Sequence, residues 1–334
     1  MGEFELLAKL RERLPKDGPQ VKLGSGDDAA VTVPGGATAT SVDAIVEGVH
    51  FRRGEADLRT VGRKALATAL SDLAAMGAEA GEAYVVLGAP ADLSEGDFLT
   101  LLDGLLELAA ATGVTLAGGD VTRAPALTLA VTVVGHAPTP ERFVTRAGAQ
   151  PGDLVVLTGE LGAAAAGRLL LERPALAEAV PASTAELLRS RQLDPTPRLR
   201  SGRALAAAGA RAMIDLSDGL ASDAGHLARA GGVAIGIEAD TLPLAKGVAE
   251  VAAAVDREPL ELAVGGGEDY ELLAALPPDR TAEASSAIGE AAETTLTPVG
   301  AVAEGEGVEI RLPGGGLLKA AGFDHFAGRS RGSR

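Results

Sequence analysis

The chain of 334 residues contains no cysteine and no tryptophan, and its aromatic content is 2%. The missing cysteine excludes disulfides, thiolate-bound metals, iron–sulfur clusters and a cysteine nucleophile. The few aromatic rings disfavour a surface that stacks nucleic-acid bases. Basic residues are also scarce, because 30 Lys and Arg oppose 46 Asp and Glu for a formal net charge of −16. Such a charge repels nucleic acid and anionic membranes, so we expect neither as a partner.

Long hydrophobic runs are missing as well. The acidic residues among positions 1–5 differ from the basic start of a secretory signal, and no apolar region of signal length follows them. The longest apolar stretches, such as residues 127–134, are too short to cross a bilayer. These features predict a soluble, cytoplasmic protein.

Strand and helix patterns occur in both halves of the chain. Residues 30–33 and 37–45 are predicted to form a hairpin across Pro34-Gly35-Gly36. Because the length also suggests two domains, we predict an α/β protein with α+β character. The predicted parts are an N-terminal domain (1–147), a C-terminal α/β domain (148–327) and a flexible tail (328–334).

Two helices have recognisable ends. Asp57 is predicted to cap a helix that stops before Gly77. Ser94 and Asp97 have the spacing of a capping box, and the helix that follows them is predicted to end near Gly113.

The most informative feature is that carboxylates stand beside glycines or at the ends of predicted elements. Asp43 lies two residues after Ser41, so both side chains project from one face of a strand. Asp72 follows Lys64 and Thr68 at four-residue steps on the predicted helix. The other members of the set are Asp27, Asp120, Asp215, Asp218 and Glu268. Carboxylates in such places suggest a hard cation together with an anionic ligand that approaches the backbone closely.

Each of these residues also fits a plain structural role. Asp218 fits a helix cap, Asp72 fits a surface position on its helix, and one residue of Asp27-Asp28 fits a solvated turn. Asp43 is harder to explain in this way, because Asp disfavours a strand. The cation-binding hypothesis therefore rests on the whole set.

Other nucleotide and metal motifs fail. Gly162 and Gly167 have the spacing of a phosphate-binding loop but lack the Lys-Ser/Thr that contacts phosphate and Mg²⁺, so this segment is interpreted as an Ala-rich helix. The four histidines do not have metal-ligand spacing, which disfavours a zinc site.

Several short segments are informative when they are taken in order. They are Gly24-Ser25-Gly26-Asp27-Asp28, Ser41-Val42-Asp43, Ser71-Asp72-Leu73-Ala74-Ala75-Met76-Gly77, Gly118-Gly119-Asp120, Leu216-Ser217-Asp218-Gly219-Leu220 and Gly266-Gly267-Glu268-Asp269-Tyr270-Glu271-Leu272. Together they resemble the thiamine-monophosphate kinase family, which belongs to the aminoimidazole-ribotide-synthetase-like ATP-binding superfamily. The resemblance covers nearly the whole chain.

This resemblance implies a fold, a reaction and a set of ligands. It implies ATP-dependent phosphorylation of thiamine monophosphate to thiamine diphosphate by a homodimer, in which two N-terminal mixed sheets form a β-barrel between the subunits. Several Mg²⁺ ions would be held by Asp27, Ser41, Asp43, Asp72, Asp120, Asp215 and Asp218. ATP would contact Gly119, Asp120, Arg146 and Ser217, and thiamine monophosphate would contact His50, Glu268 and Phe323. No general base is expected, because the acceptor phosphate is already mostly a dianion at pH 7.

Two alternatives stay open. The first is another ATP-dependent enzyme of the superfamily, such as a ring-closing synthetase, a selenophosphate synthetase or a hydrogenase-maturation enzyme. The latter two generally use a Cys or selenocysteine that this chain lacks. The second is a non-catalytic regulator that binds Mg²⁺ and nucleotide, which would not need the acceptor-side residues. The chain also departs from the family near Leu101, Leu102 and Asp103, where an adenine-stacking Tyr is often found.

Overall fold

The computed structural model describes residues 9–10, 12–15, 18–25, 29–292 and 294–318, and these form two compact units. The first unit contains the described residues within Met1–Thr145, Leu193–Ala210 and Arg280–Thr294. The second contains those within Arg146–Gln192, Arg211–Asp279 and Thr295–Arg334. The chain thus returns to the first unit twice after residue 145.

The elements alternate between strands and helices along the described chain. The strands are β1 Val21–Leu23, β2 Val31–Thr32, β3 Ala37–Val46, β4 Glu79–Ala89, β5 Thr115–Arg123, β6 Thr128–Ala137, β7 Leu154–Thr158, β8 Ala212–Asp215, β9 Ala234–Glu238, β10 Leu272–Leu276, β11 Leu296–Ala303 and β12 Gly307–Arg311. The α-helices are α1 Leu58–Ala75, α2 Glu95–Thr112, α3 Ala163–Glu172, α4 Ala182–Leu193, α5 Leu199–Ala207, α6 Leu220–Gly231, α7 Val248–Ala253, α8 Pro259–Gly265 and α9 Thr281–Ala292. Within the described ranges, every helix is too short or too polar to cross a bilayer.

A four-stranded sheet forms the centre of the first unit. Its strand order is β3-β6-β4-β5, in which β6 is antiparallel to both β3 and β4, and β4 is parallel to β5. Helices α1 and α2 pack against each other, and α1 also contacts β3 and β6. The edge strands are β3 and β5, and both carry predicted site residues.

The predicted hairpin between residues 30–33 and 37–45 is wrong. Strand β2 has only two residues and pairs with β1, whereas β3 pairs with β6 without interruption from Ala37↔Ala137 to Val46↔Thr128. A ten-residue strand satisfies far more backbone hydrogen-bonding groups in this long ladder than in a hairpin with β2. The pairing of β3 with β6 therefore forms in place of the predicted hairpin.

The predicted ends of α1 and α2 are confirmed. The Asp57 carboxylate accepts a hydrogen bond from the Thr60 backbone N–H at the start of α1. The start of α2 has the predicted capping box of Ser94 and Asp97, and the helix ends at Gly113, whose φ of 76° is left-handed. These caps depend on residues within one turn, so the sequence is sufficient to predict them.

Two glycines allow α1 and α2 to approach closely. A methyl group at Gly62 would lie 1.9 Å from the Leu101 carbonyl oxygen, and one at Gly104 would lie 1.8 Å from the Arg59 carbonyl oxygen. Both neighbours are backbone atoms, so the helices themselves would have to separate. Glycine is therefore required at both positions where α1 and α2 meet.

We expect Gly62→Ala to lower the free energy of unfolding by about 2–3 kcal/mol, because overpacking at a helix crossing forces a backbone shift. Chemical denaturation measures this directly. The matched control is Gly289→Ala on α9, where a methyl group meets nothing within 4 Å; this variant should be more stable by about 0.5–1 kcal/mol. Equal losses in both variants would contradict the close-crossing explanation.

The second unit is built on a six-stranded sheet of order β12-β9-β11-β7-β10-β8. Its neighbouring strands are antiparallel except for β12 and β9, which are parallel. The sheet packs against α6 through a buried core that includes Ile214, Leu220, Leu227, Ile235 and Ile310. The end of β8 and the loop before β10 carry the predicted site residues of this unit.

Candidate active site

Three predicted magnesium ligands lie together in the first unit. Ser41 and Asp43 share one face of β3 with the buried Ile45, while Val42 on the opposite face is 64% exposed. The Ser41 hydroxyl donates a hydrogen bond to Oδ2 of Asp72 on α1. This arrangement offers a hydroxyl and two carboxylates, which are the oxygen donors that Mg²⁺ prefers.

Asp120 lies far from this cluster within one chain. The register places Asp43 opposite Val131 on β6, Val131 opposite Val85 on β4, and Val85 opposite Gly119 on β5. Asp120 is thus three strand spacings from Asp43, roughly 14 Å, on the opposite edge of the sheet. A single first unit therefore does not bring Asp120 to Ser41, Asp43 and Asp72.

A small apolar cavity lies beside the predicted ATP contacts Gly119 and Asp120. Its volume is about 70 Å³, and Leu14, Phe98 and Leu102 are among the residues that line it. A methyl group at Gly119 would lie 2.1 Å from the Val85 carbonyl oxygen, so the backbones of β4 and β5 meet closely here. The arrangement combines an apolar pocket with a carboxylate at its edge.

His50 lies in a turn that directly follows β3. Its Nδ1 accepts a hydrogen bond from the Val46 backbone N–H at 3.1 Å. In a neutral ring this leaves the proton on Nε2, which makes Nε2 a hydrogen-bond donor. The His50 carbonyl oxygen accepts a hydrogen bond from Nζ of Lys64 on α1 at 3.3 Å.

In the second unit, Asp215 ends β8, and Ser217 and Asp218 lie in the loop between β8 and α6, at the strand-to-helix junction that the sequence predicts. Asp223, in the first turn of α6, accepts hydrogen bonds from the backbone N–H groups of Asp218 at 3.1 Å and Gly219 at 3.0 Å. Burial and, to a smaller extent, the nearby charges of Asp215 and Asp218 together raise the pKa of Asp223 to about 8. Sequence reasoning missed Asp223, although an acidic residue in the first turn of a helix is a known signal.

The segment that carries Glu268 runs beside the same loop. The Glu268 backbone N–H donates to the Ser217 carbonyl oxygen at 2.8 Å, and that of Tyr270 donates to Leu216 at 2.9 Å. Glu268 and Tyr270 have φ values of 69° and 49°, a left-handed conformation that is uncommon outside glycine. The Glu268 side chain accepts a hydrogen bond from Nε2 of the buried Gln192. The structure therefore brings the predicted residues Ser217 and Glu268 together.

Asp269, which belongs to the same glycine-rich segment, has a structural role that the sequence does not predict. Its carboxylate accepts hydrogen bonds from the backbone N–H groups of Gly162 at 2.8 Å and Ala164 at 3.1 Å, at the start of α3. Burial raises the pKa of Asp269 to about 7, although these two hydrogen bonds act in the opposite direction. Gly162 has no side chain with which to cap α3, so the cap comes from residue 269. The segment predicted as an Ala-rich helix is indeed α3.

We expect the free energy of unfolding of the protein, relative to that of the variant Asp269→Asn, to fall as the pH rises from about 4 to about 7. The unfolded carboxyl loses its proton near pH 4, whereas the folded one holds it to about pH 7, so ionisation costs the folded state about 1.4 kcal/mol per unit of pKa difference. The measurement is the free energy of unfolding of both proteins across this range. A constant difference between them would show that Asp269 has an ordinary pKa.

The remaining predicted contacts are those of Arg146, Asp27 and Phe323. Arg146 is exposed and makes no ion pair with the residues that the structure describes. Asp27 and Phe323 lie outside the described residues. Within the described ranges, no group of three or more His, Asp or Glu side chains is close enough to hold a metal ion. The metal-binding residues therefore stay a prediction, which the oxygen donors of Ser41, Asp43 and Asp72 fit.

Comparisons with known proteins identify the class of the fold. Residues 26–137 match the model of the AIR synthase related protein, N-terminal domain, and residues 150–313 match that of the AIR synthase related protein, C-terminal domain. The protein therefore has the mixed α/β, two-domain organisation of this class.

Two curated relatives identify the family. The chain is 36% identical over 330 residues to the thiamine-monophosphate kinase of Escherichia coli O157:H7, with 98% of both chains covered. It is 38% identical over 284 residues to that of Mycobacterium tuberculosis H37Rv, which covers 82% of this chain and 80% of the relative. The chain belongs to the thiamine-monophosphate kinase family.

Solved structures agree with this membership. The thiamine-monophosphate kinase from Stenotrophomonas maltophilia K279a superposes with a TM-score of 0.80 at 36% identity, over 93% of this chain and 96% of that one. A structure of AaThiL complexed with AMPPCP and TMP superposes with a TM-score of 0.77 at 30% identity, over 97% of both chains. One of these relatives has thus been seen with AMPPCP and TMP.

Proposed function

We propose that this protein transfers the γ-phosphoryl group of ATP to the phosphate of thiamine monophosphate, which gives thiamine diphosphate. The observation that carries the proposal is the similarity of nearly the whole chain to thiamine-monophosphate kinases. The relative in complex with AMPPCP, an ATP analogue, and TMP supports the same pair of substrates. The protein is accordingly a kinase of thiamine biosynthesis.

This reaction requires the protein to neutralise negative charge rather than to transfer a proton. The acceptor phosphate is mostly a dianion at pH 7, because its second pKa is about 6. Phosphoryl transfer of this kind depends on positioning and on electrostatic stabilisation. The main obstacle is therefore the repulsion between two polyanions.

Magnesium would supply the positive charge that the acidic side chains lack. In the first unit Ser41, Asp43 and Asp72 would hold it, and in the second unit Asp215 and Asp218 would do so. Asp27 and Asp120 complete the proposed set. When bound, the ions would neutralise phosphate oxygens and orient them. The contact of Ser41 with Asp72 supports this assignment.

Each of the two substrates has its own set of proposed contacts. Gly119, Asp120, Arg146 and Ser217 would contact ATP. His50, Glu268 and Phe323 would contact thiamine monophosphate. The hydrogen bond between Glu268 and Ser217 supports a site in which donor and acceptor groups are adjacent.

A homodimer explains the position of Asp120. Strands β3 and β5 are both free edges of the four-stranded sheet among the described residues. The face with Val42, 64% exposed, and Val86, 45% exposed, offers an apolar surface to a second copy. If two sheets closed a barrel between the subunits, Asp120 of the partner subunit could approach Asp43. The opposite-edge placement of Asp43 and Asp120 supports this arrangement.

The cytoplasmic location and the domain limits at 1–147 and 148–327 remain part of the proposal.

The function itself is tested by incubating the purified protein with ATP, MgCl₂ and thiamine monophosphate and by separating the products chromatographically. Thiamine diphosphate and ADP should form in equal amounts, and only when thiamine monophosphate is present. ATP consumption without thiamine monophosphate would favour another enzyme of the superfamily, and binding without turnover would favour a regulator.

A further inference from the structure

A buried lysine lies beneath the turn that carries His50. Lys64 on α1 is 1% exposed, although lysine is almost never fully buried unless its ammonium group is paired. Its Nζ donates a hydrogen bond to the His50 carbonyl oxygen at 3.3 Å. This hydrogen bond connects α1 directly to the backbone of the turn that carries His50.

The turn itself is closed by short backbone contacts. The Gly48 N–H donates to the Phe51 carbonyl oxygen at 2.8 Å, and the His50 N–H donates to Val46 at 3.0 Å. Gly48 has a φ of 83°, and the buried Phe51 anchors the end of the turn. The imidazole folds back onto the Val46 N–H. The backbone of the turn therefore determines where the imidazole lies, and Lys64 ties that backbone to α1.

We propose that Lys64 is a positioning residue for the acceptor substrate, because its ammonium group holds the turn from which His50 contacts thiamine monophosphate. This inference rests on the proposed function, in which His50 contacts that substrate. Lys64 is too deeply buried to reach a substrate itself, so it acts through His50.

The same helix also carries a proposed magnesium ligand. Asp72 follows Lys64 by eight residues, which corresponds to about 12 Å along the helix axis. Helix α1 thus contacts the turn that carries His50 through Lys64, and it carries a proposed magnesium ligand at Asp72. The spacing between the acceptor contact and the metal cluster is therefore fixed by α1.

The role predicts a specific kinetic effect. His50 would contact thiamine monophosphate before and during transfer alike, so loss of its position weakens binding without changing the chemical step. We expect Lys64→Met to raise the KM for thiamine monophosphate about tenfold, the effect of roughly one lost hydrogen bond. The KM for ATP and kcat should change by less than about threefold.

The matched control is Thr68→Val, one turn further along the buried face of α1. The Thr68 hydroxyl donates to the Ala65 carbonyl oxygen within the helix and is 3% exposed. This variant perturbs the same packing without touching the His50 turn, so both KM values should stay at the wild-type level. If Lys64→Met does not fold at the assay temperature, Lys64→Gln takes its place with the same expectation.

A double-mutant cycle with His50→Ala separates positioning from general destabilisation. If Lys64 acts through His50, Lys64→Met changes the KM for thiamine monophosphate less than about twofold once His50 is absent. The inference is overturned by an unchanged KM in the single variant, by an equal rise for ATP, or by a rise that persists in the His50→Ala background. A wild-type protein without kinase activity would instead refute the proposed function, and this inference with it.

Discussion

Asp43→Asn is expected to lower the turnover of thiamine monophosphate by about a thousandfold or more while the protein stays folded. The substitution removes one negative charge from the proposed magnesium cluster of Ser41, Asp43 and Asp72. Several kcal/mol of charge stabilisation in a metal-assisted transfer correspond to about three powers of ten in rate. Steady-state kinetics at saturating ATP, over a series of Mg²⁺ concentrations, measures the loss.

The fold should survive because Asn can replace Asp43 in its local contact. Oδ1 of Asp43 accepts a hydrogen bond from the Ala44 N–H at 2.7 Å, and an amide oxygen can accept the same bond. The matched control is Asp92→Asn, which removes a carboxylate that pairs with Arg53 at the surface; its turnover should stay within about twofold of wild type. Wild-type turnover of Asp43→Asn at limiting Mg²⁺ would refute the assignment of Asp43.

Mixed dimers of two inactive variants should recover activity. Asp43 and Asp120 lie on opposite edges of one sheet, so in the proposed homodimer a site that needs both takes them from different subunits. In a mixed dimer of Asp43→Asn with Asp120→Asn, one site carries both substitutions and the other carries neither. The two variants are co-expressed with different affinity tags. The unsorted mixture should show about a quarter of wild-type turnover, because about half of the dimers are mixed and one of the two sites in each mixed dimer is intact.

The pair Asp43→Asn with Asp72→Asn provides the matched control. Both substitutions fall in the cluster that one chain supplies, so every site in a mixed dimer stays damaged. This pair should recover nothing. Recovery in both pairs, or in neither, would contradict a site shared between two subunits.

The part of the site that the sequence predicts is the part that depends on local spacing. The two-residue spacing of Ser41 and Asp43 puts both on one strand face, because side chains alternate along a strand. The caps at Asp57 and Ser94 likewise follow from residues within one turn. Local geometry therefore accounts for these predictions.

The parts that the sequence does not predict depend on pairing between distant segments. The separation of Asp43 from Asp120 follows from the strand order β3-β6-β4-β5, which no short pattern encodes. The false hairpin has the same cause, since β3 pairs with a strand about ninety residues later in the chain rather than with its neighbour. The capping role of Asp269 is not predicted because its carboxylate accepts a hydrogen bond from the Gly162 backbone N–H, 107 residues earlier in the chain. A residue that satisfies distant backbone groups has no local signal.

The most direct test of the account is the fate of the terminal phosphate of ATP labelled at the γ position. Direct transfer predicts that the label appears in the β-phosphate of thiamine diphosphate, together with one ADP for each molecule formed. Release of the label as inorganic phosphate without thiamine diphosphate, or formation of AMP in place of ADP, would contradict a magnesium-assisted transfer between these two phosphorylated substrates.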